Sequence, residues 1–150
     1  MALDQSFVGR SYPPTEPYEV GREKIREFAE AVGDDHPAYT DTDAAKALGH
    51  PDVIAPPTFA FAITFRAAGV VIQDPLLGLD YDRVVHREQK FAYTRPVRAG
   101  DRLSVVSTIE SIKSLAGNDV VEIRGEVHDE TGDHVVTAWT KLVARAAEEA

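Results

Sequence analysis

The sequence predicts an α+β fold in which the helices come first and an antiparallel sheet follows them. Two observations carry this prediction. Apolar residues recur at helical spacing over 22–69, and they alternate with polar residues over much of 84–144. A chain of 150 residues, 43% hydrophobic and 27% charged, has the size and composition of one globular domain, so we expect 1–150 to fold as a single unit.

Three helices are predicted in the first half of the chain. The first begins at Arg22, and its apolar residues occupy one helical face: Ile25, Phe28, Ala29 and Val32. Gly33 follows as a natural stop, and a second, short helix is predicted over 43–48. The third has Pro57 in its first turn, where a missing backbone donor is harmless. Its apolar residues continue to Ala68 and cover nearly every face, so we expect burial on most sides.

The second half of the chain consists of predicted strands separated by turns. The strands cover 84–94, 103–110, 120–127 and 134–144, and the turns between them lie at 98–101, 116–119 and 129–133. Consecutive strands joined by short turns favour an antiparallel sheet. One buried helix followed by such strands is the element order of a single hotdog fold, in which the sheet wraps around a central helix. Several charged or polar residues are expected on a strand surface or at an interface: His86, Glu88, Arg95 and Arg98.

Composition excludes several classes of protein. The net charge is −9 and the basic residues form no cluster, which argues against nucleic-acid binding because phosphate contacts need grouped Lys and Arg. The absence of cysteine excludes disulfides, a thiolate nucleophile and a cysteine-based metal site. No signal peptide is recognisable, and the longest apolar run, 59–72, is too short for a membrane span and contains Arg66. We therefore expect a cytoplasmic protein that binds neither nucleic acid nor membrane.

Three segments of the chain carry motifs that point to one family. Residues 33–39 read Gly-Asp-Asp-His-Pro-Ala-Tyr, residues 49–59 read Gly-His-Pro-Asp-Val-Ile-Ala-Pro-Pro-Thr-Phe, and residues 86–101 follow the pattern H-x-E-Q-x-F-x-Y-x-R-P-x-x-A-G-D. Together, and in this order, they resemble the MaoC-like hydratases, hotdog enzymes that add water to acyl thioesters or remove it. The first segment is similar to the family's Gly-Asp-x-Asn-Pro-x-His, whose Asp and His act on one water. The other two resemble the N-terminal domains of this family.

The first motif departs from the family pattern at two positions. His36 stands where the family has Asn, and Tyr39 stands where it has the catalytic His. Asp34 matches the family's Asp, so Asp34 and His36 are the candidate catalytic residues. His36 follows Asp34 by two positions, whereas the family's His follows its Asp by five. This difference would misplace the imidazole, and a displacement of a catalytic group by about 1 Å can cost roughly a hundredfold in rate. Tyr39, with an ordinary pKa near 10, is a poor base at neutral pH, so we expect it to fill the site structurally.

Substrate-binding residues are predicted around the start of the third helix. In the family, a backbone N–H at this helix start helps to hold the thioester carbonyl oxygen. Pro57 has no N–H to offer, whereas Thr58 retains one. The candidate substrate-binding residues are therefore Tyr39, Thr58 and Phe59, and the apolar residues up to Ala68 are candidates to line the acyl chain. No side chains have metal-ligand spacing, so neither a metal nor another cofactor is predicted.

The resemblance implies a subunit of a (3R)-hydroxyacyl-thioester dehydratase, or enoyl-thioester hydratase, of fatty-acid metabolism. This chain is similar to the non-catalytic kind, which supplies acyl-chain binding and dimer support while a catalytic hotdog subunit carries the active pair. The implied substrate is an acyl thioester of acyl carrier protein or coenzyme A. The implied assembly is a heterodimer with the catalytic subunit, or a homodimer in isolation.

Three alternatives stay open at this point. One is a self-sufficient homodimeric (R)-specific enoyl-thioester hydratase that uses Asp34 and His36. Another is a non-enzymatic module that binds acyl thioesters. The least favoured is a hotdog thioesterase, because many of these enzymes carry a carboxylate on the central helix, and residues 58–69 contain neither Asp nor Glu.

Overall fold

The computed structural model describes residues 3–146 and contains four α-helices and five strands within them. The helices are α1 (Arg22–Val32), α2 (Thr42–Ala47), α3 (Ala60–Ala67) and α4 (Gly69–Ile72). The strands are β1 (Tyr18–Glu19), β2 (Val84–Tyr93), β3 (Arg102–Leu115), β4 (Asn118–His128) and β5 (His134–Ala144). Short 3-10 helices lie in the connecting segments, at Gln5–Phe7, Pro37–Tyr39 and Tyr81–Arg83.

The strands form one antiparallel sheet in the order β1-β3-β4-β5-β2. β3, β4 and β5 follow one another through short turns, and buried residues alternate with less buried ones along β4, as expected for a sheet with one covered face. β2 precedes this meander in the chain but pairs with β5, so it forms an edge of the sheet. A bulge at Arg87 shifts the β2–β5 register between His86 and Glu88.

The central helix α3 packs against β3, β4 and β5. Its buried residues share one core with side chains of the sheet, among them Ile63, Ala67, Val105, Val127 and Val136. The closest approach is at Gly125, where an added Cβ would lie 3.4 Å from the Cβ of Thr64. The Thr64 hydroxyl is buried and donates to the Ala60 carbonyl at 3.0 Å, so its polar atom is satisfied. A sheet packed around one central helix is the α+β hotdog arrangement that the sequence predicts.

The predicted helices require three corrections. α2 begins and ends one residue earlier than predicted. α3 begins at Ala60, because residues 57–59 form a turn in which the Phe59 N–H donates to the Pro56 carbonyl at 2.9 Å. α3 is also not buried on most sides: Ala62 and Arg66 are exposed, and Phe61 is only half-buried. The sheet covers one side of the helix and leaves the opposite side partly open, where Phe61 stacks on His86 of β2. Within residues 3–146, no helix is long and apolar enough to cross a membrane.

Candidate functional site

The first motif lies in a loop whose course is fixed by the end of α1. Gly33 has φ 73° and ends the helix in a left-handed conformation that glycine adopts without strain. Its N–H donates to the Glu30 carbonyl at 3.1 Å, and the Asp34 N–H donates back to the Ala29 carbonyl at 2.9 Å. The loop therefore leaves α1 abruptly, and it sets Asp34 half-buried at the beginning of the motif.

His36 acts as a helix cap in this structure. Its Nδ1 accepts a hydrogen bond from the Ala38 N–H at 3.1 Å and so caps the 3-10 helix Pro37–Tyr39. This bond requires the proton of the neutral imidazole to be on Nε2. The His36 N–H in turn donates to Asp34 Oδ1 over 3.4 Å, a long contact. Asp34 and His36 are thus close in space, but the hydrogen bonds that they make, with each other and with Ala38, are those of a folded turn.

Tyr39 completes this group. Its ring centroid lies 5.7 Å from that of His36, tilted by 53°. Partial burial raises the pKa of Tyr39, and the nearby Asp34 carboxylate raises it further. A phenol whose pKa lies above its usual value is still less able to accept a proton at neutral pH than an exposed one. The structure therefore brings Asp34, His36 and Tyr39 together, with the phenol where the family has its catalytic His.

A mostly apolar cleft of about 340 Å³ opens beside Tyr39. It is lined by Tyr39, Ile54, Ala55, Pro57, Tyr93, Thr94, Arg95 and Pro96. Thr58, a candidate substrate-binding residue, is exposed and does not line this cleft. Phe59, the other candidate, is placed in the core instead: it is fully buried, and its ring meets Phe28 edge-on at 5.3 Å. A large apolar ring beside the first turn of the central helix gains more from packing than from contact with the cleft.

Tyr93, which the sequence reasoning did not single out, reaches the start of α3. Its hydroxyl donates to the Pro57 carbonyl. Burial raises the pKa of Tyr93 to about 12, and the neighbouring Ala60 backbone N–H acts in the opposite direction. The phenol is thus anchored to the Pro57 carbonyl, just before α3 begins. The signal in the sequence was the tyrosine of the third motif, but a pattern alone does not say what its hydroxyl meets.

Arg95 is half-buried, lies just beyond the end of β2, and joins two turns rather than lying on a strand surface. Its guanidinium donates to both carboxylate oxygens of Asp101, each at 2.9 Å, and to Asp129 at 3.2 Å. The Thr131 hydroxyl and then the Arg95 guanidinium lower the pKa of Asp129 to about 2. These contacts tie the end of β2 to the start of β3 and to the β4–β5 turn, so they hold one wall of the cleft.

Comparison with known proteins places this geometry in a family. The chain matches the model described as FAS1-like, dehydratase domain region, over residues 6–138. A UPF0336 protein of Streptomyces coelicolor is 83% identical over 150 residues, which is 100% of each chain. A solved MaoC-like dehydratase has a TM-score of 0.88 and 36% identity, over 95% of this chain and 43% of that one. A chain of the C-terminally truncated HadBC (3R-hydroxyacyl-ACP dehydratase) complex from Mycobacterium tuberculosis has a TM-score of 0.84 and 32% identity, over 95% of this chain and 99% of that one.

The fold and the motif loop define a hotdog protein of the dehydratase class. The chain belongs to the MaoC-like hotdog dehydratase family, as the match to the FAS1-like dehydratase region and the likeness to two solved dehydratases establish. The predicted family and fold are therefore confirmed. The chain spans less than half of the MaoC-like dehydratase with which it superimposes, but nearly all of the HadBC chain.

Proposed function

We propose that this protein is the supporting, non-catalytic subunit of a (3R)-hydroxyacyl-thioester dehydratase, or enoyl-thioester hydratase, of fatty-acid metabolism. One observation carries the proposal: the loop that holds the family's catalytic pair is folded here around a capping histidine and a tyrosine. The whole chain 1–150 acts as one hotdog domain in this proposal, in the cytoplasm. Its substrate is an acyl thioester carried by acyl carrier protein or coenzyme A.

The chemistry sets three requirements that this chain meets poorly by itself. Dehydration of a 3-hydroxyacyl thioester needs a base for the proton next to the carbonyl, an acid for the departing hydroxyl, and donors for the enolate oxygen. The His36 Nδ1 lone pair is occupied by the Ala38 N–H, and the pKa of Tyr39 is raised. At the start of α3, Pro57 offers no N–H and its carbonyl is bound by Tyr93. A second hotdog domain has to supply the missing groups.

The open side of α3 supports a second domain as partner. We define the open face as the half-exposed surface between α3 and β2 formed by Phe61, Phe65, His86, Gln89 and Phe91. The Phe61 ring stacks on Phe65 with centroids 5.0 Å apart and on His86 at 5.4 Å. Within residues 3–146, the outer edge of β2 pairs with no other strand. An unpaired ten-residue edge beside half-exposed aromatic rings is a surface that a partner can extend and cover.

The two solved relatives fit this assembly. One dehydratase chain contains this domain as 43% of its length, which leaves room for a second domain in the same polypeptide. The other belongs to a complex, HadBC, and one of its chains matches this protein nearly end to end. In our proposal a separate catalytic hotdog chain binds the open face, and the protein forms a homodimer through the same face when that chain is missing.

The test is hydration of crotonyl-coenzyme A and of a longer trans-2-enoyl-coenzyme A. It is run with the lone chain and with the chain mixed with an adjacent gene's hydratase product that carries the intact motif. We expect a silent lone chain, an active mixture, and no loss when Asp34→Asn is introduced into this chain. Asp35→Asn, its exposed neighbour, is the matched control.

Other outcomes separate the alternatives. Activity of the lone chain that disappears in Asp34→Asn contradicts the proposal and favours a self-sufficient hydratase. Silence of both samples, with binding of the acyl thioester retained, favours a non-enzymatic binding module.

A further inference from the structure

We propose that a groove beside β1 binds an aliphatic monocarboxylate, such as a free medium-chain fatty acid, and that Arg66 holds the carboxylate. This β1 groove lies between residues 15–18 and the helices α3 and α4, and its volume is about 300 Å³. Among the described residues, none lines both this groove and the cleft beside Tyr39, and none of its lining residues belongs to the open face. The proposal therefore does not depend on the proposed function.

Both walls of the β1 groove are held in place by the fold. On one side, the Thr15 N–H donates to the Val105 carbonyl at 3.0 Å, and the Val105 N–H donates to the Thr15 hydroxyl at 3.0 Å. Tyr18 belongs to β1, which pairs with β3. On the other side, Ile63 and Ala67 are buried side chains of the core that α3 shares with the sheet. The groove is therefore pre-formed, as small-molecule sites usually are.

A row of apolar side chains forms the floor of the β1 groove. Ile63 and Ala67, each 6% exposed, are followed along the chain by Val70, which is 49% exposed. All three line the groove, as expected for side chains spaced at i, i+4 and i+7 on one helix face. At a rise of about 1.5 Å per residue the row is about 10 Å long, which is close to the length of an extended octanoate. An aliphatic tail on this floor would cover apolar surface that water contacts in the free chain.

Arg66 supplies the charge that selects a carboxylate. It is the only charged residue of α3, it is exposed, and it lines the β1 groove. Within residues 3–146, no carboxylate oxygen lies within 4.0 Å of its guanidinium, although the chain contains 25 acidic residues. A guanidinium can bind a carboxylate through two parallel hydrogen bonds, and it keeps its charge at neutral pH. A ligand with one carboxylate and an aliphatic tail therefore matches both the charge and the apolar floor.

Of the residues that line the groove, Glu16 alone is acidic, and it separates two classes of ligand. It is exposed, so water screens its repulsion of a bound carboxylate. An amino acid would instead use Glu16 to bind its ammonium group. The apolar row on the floor is longer than any aliphatic amino-acid side chain, which favours the monocarboxylate. Glu16→Gln should thus tighten the binding of a monocarboxylate, whereas it would weaken the binding of an amino acid.

The test is an NMR titration of the whole chain with sodium octanoate. We expect saturable shifts at the backbone amides of the floor residues Ile63, Ala67 and Val70. Arg66→Gln, which removes the exposed charge, should weaken octanoate binding by about fivefold. The same variant should leave the binding of uncharged 1-octanol unchanged. Arg26→Gln, at an exposed arginine of α1 outside the groove, is the matched control and should keep the wild-type affinity for octanoate.

A second variant tests the chemistry of the ligand. Glu16→Gln should bind octanoate about twofold more tightly than the wild type, because it removes a like charge from the groove. The proposal is overturned if octanoate causes no saturable shifts at the floor residues, or if folded Arg66→Gln binds octanoate as tightly as the wild type. Saturable shifts with L-leucine that disappear in Glu16→Gln would also contradict it, and they would favour an amino acid.

Discussion

The two sides of α3 are built differently. On the closed side, Thr64 and Ile63 pack into the sheet, and Gly125 lets the helix approach so closely that an added Cβ would lie 3.4 Å from Thr64. On the open side, the Phe61 ring stays half-exposed and stacks on His86, a residue of the edge strand. One face of α3 is thus buried in the core, and the other carries apolar side chains that remain partly exposed.

The difference separates folding from function in this chain. Burial of apolar surface stabilises by roughly 25 cal/mol per Å², so the closed side provides much of the driving force for folding. The open side retains apolar area that a second domain can bury. Polar groups near the cleft are also engaged within the chain: His36 Nδ1 accepts from the Ala38 N–H, and the Arg95 guanidinium is paired with Asp101. The closed side thus serves the fold, and in the proposed function the open side serves the binding of a second domain.

The largest effect on folding is expected at Gly125, the tightest point of the closed side. Gly125→Leu forces a branched side chain against Thr64 and Val105, whose atoms lie within 3.4 to 3.5 Å of a single Cβ. We expect a loss of about 3 kcal/mol in the free energy of unfolding, measured with urea. Gly125→Ala is the matched control: its Cβ makes ordinary van der Waals contacts, so the change stays within about 1 kcal/mol. Equal stabilities for the two variants would mean that the helix moves away freely, and the closed side would not be tightly packed.

The sequence predicts most of the fold because periodicity records which residues face a core. α1, bounded as predicted from Arg22 to Val32, has a polar face toward solvent, so its spacing is unambiguous, and β5 spans 134–144 as predicted. α3 gave no such contrast. Its apolar residues cover nearly every face, and this pattern indicates burial without saying whether the chain itself or a partner provides it.

The site was predictable only where a local pattern carries the information. The motif placed Asp34, His36 and Tyr39 in one loop, and the spacing of His36 argued against catalysis. The contacts that shape the cleft link distant parts of the chain, such as Tyr93 with Pro57 and Arg95 with Asp129. Neither pair can be recognised from the sequence, because hydrogen bonds between distant parts of the chain produce no regular spacing of residues.

A smaller effect is expected at the ion pair of Arg95 with Asp129, and it depends on pH. The folded pKa of Asp129 is about 2, below its ordinary value of 3.8, so the ionised form is favoured by folding. The stability from this group is present above about pH 4 and disappears as the pH falls toward 2. Asp129→Asn should therefore destabilise the protein by about 1 kcal/mol at pH 7, and the difference should shrink in acid. Urea unfolding at pH 7, 4 and 3 measures it, with Asp35→Asn in the motif loop as control. A difference that is constant with pH would assign the loss to packing instead of charge.

The smallest effect on folding, and a large one on assembly, is expected on the open face. Phe61→Lys removes a half-exposed ring, so the free energy of unfolding of the lone chain should change by no more than about 1 kcal/mol. The same change puts a charge where a partner must bury apolar surface, and it should weaken binding of the catalytic chain by roughly tenfold or more in sedimentation experiments. Leu115→Lys, a matched change at the 53% exposed end of β3, should leave assembly unchanged. If Phe61→Lys unfolds the lone chain as severely as Gly125→Leu does, the open face belongs to the core after all. The contrast between the two sides of α3 would then disappear, and with it the reason to expect a second domain there.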